Sequence, residues 1–141
     1  MPRPSIACSQ DVALIDNPFL AFLGVTCHAW RKDHCEFELA IRPELLNRQG
    51  ILQGGVVSTL LDAACGYAGL YSPSMHPPLH GYTVSLALNF LRKGSGTLLS
   101  ARGHVEQQGG SIFFARGEAW VDDRILIATA QGSFKMLRLE E

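Results

Sequence analysis

The sequence predicts an α+β domain in which a curved antiparallel sheet of about five or six strands wraps around one long central helix. Three observations carry that reading. A single long apolar stretch at helical spacing runs from about Gly54 to Tyr71. Four strand-like segments follow it, at about 82–92, 97–107, 111–121 and 124–137. Hydrophobic residues make up 47% of 141 residues, enough for one domain with a real core.

Taken in order, residues 1–16 show no strong period and read as a loose N-terminal arm, with the domain running over 17–141. Asn17 can cap a helix and Pro18 suits its first turn. Phe19, Leu20, Phe22 and Leu23 follow, and Gly24 stops this short helix. A strand pair is expected around Val25–Trp30 and Cys35–Ile41, where Cys35, Phe37, Leu39 and Ile41 alternate with Glu36, Glu38 and Ala40. Pro43–Gln53 is a connection rich in turn residues.

The main helix then carries an apolar stripe of Val56, Val57, Leu60, Leu61, Ala64 and Ala68. A second stripe holds Gly55, Ser58, Thr59, Asp62, Cys65, Gly66 and Gly69. Each helical glycine costs roughly 1 kcal/mol relative to alanine, so that face needs a packing or functional reason. Ser72–Gly81 reads as a loop. The first strand after it alternates, with Val84, Leu86, Leu88 and Phe90 on one face. Gly94-Ser-Gly96, Gly109-Gly110 and Asp122-Asp123 mark the later turns, and such short connections imply antiparallel neighbours.

Composition excludes several classes of function. The net charge is -1 with no basic block, which argues against nucleic acid as a partner. No apolar run is long enough for a membrane span, and Met1-Pro-Arg-Pro-Ser-Ile lacks a signal-peptide core, so a cytoplasmic location is expected. Cys8, Cys27, Cys35 and Cys65 form no C-x-x-C pair and read as buried thiols in a reducing compartment. His76 and His80 could pair on a metal, but no cluster of Cys or carboxylates stands beside them, and no metal is expected. His28, His34 and His104 fall on strand-like segments and read as structural or exposed. A charged fraction of 18% is low for a small domain that wets its whole surface, which points to an oligomer.

The chemistry concentrates between Asn47 and Gly66. Asn47, Gln53, Gly54 and Gly55 lead into the long helix, and Asp62 is the carboxylate in its middle. Glycines at a helix start expose backbone N–H groups at the positive end of the dipole. Such a start can hold a carbonyl oxygen that gains negative charge, while Asp62 supplies a base or nucleophile. Asn47 would orient the carbonyl or the water through its amide. Asp62 lies eight residues after Gly54, or roughly 12 Å along the axis, too far for both to meet one carbonyl from the same helix. Two helices running antiparallel across a twofold axis remove the difficulty, each Asp62 facing the other chain's Gly54. Taken singly, each residue also has a plain reading: a hydrogen-bonded helix Asp, a turn Asn, a tight Gly-Gly turn.

From about Asn17 to Leu137 the chain resembles the hotdog-fold acyl-CoA thioesterases of the phenylacetate-degradation type. The landmarks are Asn17-Pro-Phe-Leu-Ala-Phe-Leu-Gly24-Val, Asn47…Gln53-Gly54-Gly55 and Leu61-Asp62-Ala-Ala-Cys-Gly66-Tyr. Thr83-Val-Ser-Leu-Ala-Leu-Asn-Phe90-Leu-Arg92 and Ala128-Thr-Ala-Gln-Gly132-Ser-Phe134 follow. The resemblance implies an acyl-CoA substrate, no separate cofactor because CoA is part of that substrate, and a homodimer or dimer of dimers with sites at the interface. It implies that Thr83 helps hold the attacking water. It also exposes a departure, since Gln53 stands where the family usually has histidine. Glutamine donates a hydrogen bond but does not cycle a proton near neutral pH. Arg92 and Lys93, with Gly109, Gly110 and Ser111, are the expected contacts for pantetheine and phosphate.

Two other functions compete. A non-catalytic acyl-CoA binder fits the exchange at Gln53 but not the retained Asp62. A hotdog hydratase or dehydratase would pair a histidine with a carboxylate, and no histidine stands at Asn47, Gln53 or Asp62. The sequence does not select the acyl group.

Overall fold

Asn17 opens the first helix as its composition dictates. Its Oδ1 accepts a 3.1 Å hydrogen bond from the Leu20 N–H, Pro18 occupies the first turn, and Gly24 ends α1 (Pro18–Leu23) in the left-handed region at φ +90°. The computed structural model describes residues 5–8, 14–73 and 79–138.

The arm is less loose than its lack of period suggests. β1 (Ile6–Ala7) pairs with β2 (Leu14–Ile15), and the Cys8 backbone forms a parallel β-bridge with that of Cys27. Ile6, Cys8 and Ile15 are buried, and two-residue strands are too short to show a period.

β3 (Thr26–Arg31) and β4 (His34–Ala40) form the expected hairpin, with Cys35, Phe37 and Leu39 buried and the residues between them facing out. A single 3₁₀ turn at Pro43–Leu45 leads to α2 (Gly54–Ala68), which ends three residues before the expected Tyr71. α2 buries Val57, Leu60, Leu61, Ala64 and Ala68 as predicted. It also buries Cys65, which the helical wheel puts on the small-residue face. The reason lies on the facing strands. A Cβ at Gly103 would collide with the Ala64 carbonyl, and one at Gly117 would sit 2.8 Å from Cys65 Sγ. These two glycines let the sheet close over more of the helix than its apolar stripe alone covers.

β5 (Leu79–Phe90), β6 (Leu98–Gly109), β7 (Ile112–Val121) and β8 (Ile125–Arg138) complete a six-stranded antiparallel sheet in the order β3-β4-β6-β7-β8-β5. β5 begins within the segment read as a loop; residues 74–78, including His76, lie outside the described residues. One long helix held by a curved antiparallel sheet is the hotdog architecture that the resemblance implies.

One expectation about β5 fails. A bulge falls between Thr83 and Ser85, so Val84 drops out of the alternation. Thr83 and, beyond the bulge, Leu86, Leu88 and Phe90 share the register of Phe134, Gly132, Ala130 and Ala128 on the inner face. Val84 is left 56% exposed. β5 is also an edge: β8 is its one strand partner, and Tyr82, Val84 and Phe90 are exposed along it.

Candidate active site

Asp62 projects from the middle of α2 toward the start of β5. Thr83 Oγ1 donates a 2.6 Å hydrogen bond to Asp62 Oδ1. The bulge after Thr83 makes this meeting possible. It lets Thr83 share the inner face with Leu86 and Leu88, which strict alternation would forbid. The carboxylate thus has one oxygen held and a second able to act on a ligand.

Asp62 and Thr83 line a cavity of about 910 Å³. α2 contributes Thr59, Asp62, Ala63, Gly66 and Tyr67 to its wall, on one face of the helix, and Leu70 follows just past its end. The opposite walls are apolar and aromatic, with Trp30, Phe113 and Phe134 among them. Phe113 and Phe134 stack at 5.2 Å between centroids. Tyr67 is locked between the ring edges of Trp30 and Phe37. Trp30 Nε1 donates to the Tyr67 carbonyl at 2.8 Å, and Asn17 Nδ2 donates to the Tyr67 hydroxyl at 3.0 Å. Burial pushes the Tyr67 phenol above its ordinary range. Asn17 therefore has two duties, and only the helix cap was legible in the sequence. Trp30, Tyr67, Phe113 and Phe134 carried no local signal beyond being apolar.

The second group of predicted residues gathers at the start of α2. Leu46 bridges to Leu52, and the Gln53 N–H donates to the Leu45 carbonyl at 2.9 Å. Asn47 Oδ1 accepts from the Gln49 and Ile51 N–H groups at 2.8 and 3.3 Å. The plain reading of Asn47 as a turn residue thus holds for its oxygen, while its Nδ2 donor stays outside that turn. Gln53 is the N-cap, is exposed and makes no side-chain cap bond. The Gly54 and Gly55 N–H groups have no acceptor among the described residues, as the first turn of any helix leaves them. Space above Gly55 is open, and Gly54 packs under Phe90 at ordinary contact distance.

Within one chain the two groups stay apart. Asn47, Gln53, Gly54 and Gly55 are absent from the cavity that holds Asp62 and Thr83. The helix is regular from Gly54 to Ala68, so the separation of roughly 12 Å along its axis stands.

The expected CoA contacts are likewise divided. Arg92 and Lys93 follow the Phe90 end of β5, near the start of α2, where the Leu52 N–H donates to the Gly94 carbonyl. Gly109, Gly110 and Ser111 form the β6–β7 hairpin beside Lys135, whose Nζ reaches Ser111 Oγ at 2.7 Å. Lys135 pairs across β8 with Tyr82, at the other end of β5. One chain therefore places the two sets roughly 30 Å apart along the strands, at about 3.3 Å per residue from Tyr82 to Arg92.

Among the described residues no group of three or more His, Cys, Asp and Glu is placed to hold a metal, and no helix is long and apolar enough to cross a membrane. His28 stands 3.9 Å from Glu38, and His34 bonds Glu36 at 2.7 Å. The four cysteines are buried. Burial, helped by the charges of Asp62 and Glu106, pushes the Cys65 thiol up to about 12. It stays protonated and is no competing nucleophile.

Comparison with known proteins shows the family and the fold. A family profile described as the thioesterase superfamily matches residues 49–128, from the approach to α2 through most of the sheet. The medium/long-chain acyl-CoA thioesterase YigI of Escherichia coli is 25% identical over 130 residues, covering 83% of this chain and 84% of its own. A Pseudomonas aeruginosa protein described as a candidate esterase, PA0474, is 31% identical over 122 residues, covering 85% and 89%. A thioesterase family protein from Silicibacter pomeroyi superposes with a TM-score of 0.77 at 28% identity, over 87% of this chain and 91% of that one. The PaaI protein of the E. coli phenylacetic acid degradation operon shares the fold, with a TM-score of 0.75 at 20% identity over 89% and 86%.

Proposed function

We propose, from the premise that this chain belongs to the thioesterase superfamily and is a thioester hydrolase, that its substrate is an acyl-CoA and that Asp62 activates the attack. The observation that carries the proposal is the Thr83–Asp62 pair set in a cavity of about 910 Å³ whose walls include Trp30, Phe113 and Phe134. A fixed carboxylate beside space for an acyl group is what hydrolysis of an apolar thioester needs. YigI, named for medium- and long-chain acyl-CoA, supports the substrate class.

In this reading Asp62 draws a proton from water, or attacks the thioester carbon itself. Thr83 holds the carboxylate or the water. The Gly54 and Gly55 N–H groups of a second chain receive the carbonyl oxygen as it gains charge, each such donor being worth roughly 3–4 kcal/mol in the transition state. Asn47 Nδ2 orients the carbonyl from the same helix start. Gln53 adds a neutral donor in the place where the family usually has histidine. The CoA thiolate leaves; where water attacked, the acid is released directly, and where Asp62 attacked, water then hydrolyses the acyl anhydride on Asp62 to free the acid and restore the carboxylate. A homodimer joined along the exposed edge of β5 brings the two half-sites together, and its twofold axis sets Arg92 and Lys93 of one chain near Gly109–Ser111 of the other.

Release of free thiol from an acyl-CoA panel tests the proposal. The parent should turn over at least one medium-chain or aryl acyl-CoA. Asp62→Asn, still folded, should be slower by about a hundredfold or more. No turnover across the panel, or near-normal turnover in Asp62→Asn, would sink this mechanism.

A further inference from the structure

Two glycines three residues apart, Gly66 within α2 and Gly69 at its C-cap, behave differently. A Cβ at Gly69 would collide with the Phe113 ring, so glycine there answers a packing demand. A Cβ at Gly66 would meet the Phe134 ring at 3.6 Å, an ordinary van der Waals contact. Gly66 also lies within the regular helix and not in the left-handed region. The fold therefore has room for alanine at 66, and alanine is the better helix former.

What Gly66 borders is the cavity. It follows Asp62 by four residues, on the same face and roughly 6 Å further along the axis. Any acyl group whose carbonyl is attacked at Asp62 and whose tail fills the cavity passes over residue 66. We propose that Gly66 is the specificity-determining residue of this enzyme: its missing side chain admits acyl groups longer or wider than a few carbons. The inference rests on the acyl-CoA reading above, which assigns the cavity to the acyl group.

The test compares the parent with Gly66→Ala, using acetyl-CoA, octanoyl-CoA and phenylacetyl-CoA. Melting temperature and the binding of non-hydrolysable thioether analogues of the same three are measured beside turnover. Two results are expected together. The melting temperature of Gly66→Ala rises by roughly 2–4 °C. The ratio of kcat/KM for octanoyl- or phenylacetyl-CoA to that for acetyl-CoA falls by about tenfold or more. Gly69→Ala is the control and should melt lower. A selectivity ratio within twofold of the parent overturns the proposal, and so does a lower melting temperature for Gly66→Ala, because glycine would then serve packing. If the parent hydrolyses none of the three, the hydrolase reading fails by itself. The analogues then decide about Gly66: weaker binding of the two larger ones alone supports it, and equal weakening or none overturns it.

Discussion

Thr83 Oγ1 lies 2.6 Å from Asp62 Oδ1, joining the middle of α2 to the first strand after it. The two residues are 21 positions apart in sequence, and their contact depends on the bulge at Val84. A hydroxyl donating to a carboxylate fixes the orientation of that group, which in the proposed mechanism acts on the thioester. Removing the hydroxyl should thus matter more to turnover than to folding.

Thr83→Val keeps the shape and strand preference of the residue and deletes the donor. A hydrogen bond to a charged group contributes roughly 1.5–3 kcal/mol, so turnover should fall by about 10- to 100-fold. Thr83→Ser, which keeps the hydroxyl, should recover most of it. Steady-state kinetics of both variants on one good acyl-CoA checks this, and equal losses would assign Thr83 to packing alone.

The proposed division of the site between two chains predicts complementation. Asp62→Ala and Asn47→Ala homo-oligomers should each be impaired. After subunit exchange, a mixed dimer carries one doubly defective site and one intact site, so activity should return toward about half of the parental value per mixed dimer, provided distant sites act independently. Absence of recovery, with exchange demonstrated by differently tagged chains, counts against the shared site.

Gln53 caps α2 without a side-chain cap bond, leaving its amide for a ligand. Gln53→Ala should lower turnover by less than Asp62→Ala does, roughly tenfold for one neutral donor, since the Gly54 and Gly55 N–H groups remain. Gln53→His should stay folded and active. Turnover of both variants across pH is the measurement, and a folded Gln53→Ala as inactive as Asp62→Ala would give Gln53 a primary catalytic role.

Alkaline pH should destabilise the fold. Burial first, then Asp62 and Glu106, raise the Cys65 pKa from 9.0 to about 12, and burial raises Cys35 as well. The folded chain holds these protons where the unfolded chain releases them. Stability from Cys65 is therefore complete below about pH 9 and lost between 9 and 12, and that from Cys35 likewise declines above pH 9. The melting temperature should be level up to pH 8.5 and fall steadily by pH 10.5. Cys65→Ala should flatten part of that slope, and a slope identical to the parent's would remove Cys65 from the explanation.

By itself the sequence determined the elements whose cause is local. The cap at Asn17, the stop at Gly24, the alternation of Cys35, Phe37 and Leu39, and the apolar stripe of α2 follow from a few adjacent residues and one period. The separation of Asp62 from Gly54 was legible too, because helical rise is fixed. Only the tertiary structure decided the rest. The order β3-β4-β6-β7-β8-β5 puts β5 at an edge beside β8, the last strand in the chain, a pairing that no local pattern encodes. The bulge at Val84 turned Thr83 inward, and bulges arise from cross-strand register. Gly66 and Gly69 are alike in sequence. Phe113, more than 40 residues away in the chain, makes one of them a packing necessity and leaves the other open to the cavity. Contacts between residues distant in sequence are set by how the sheet closes over the helix, so they appear only once that closure is known.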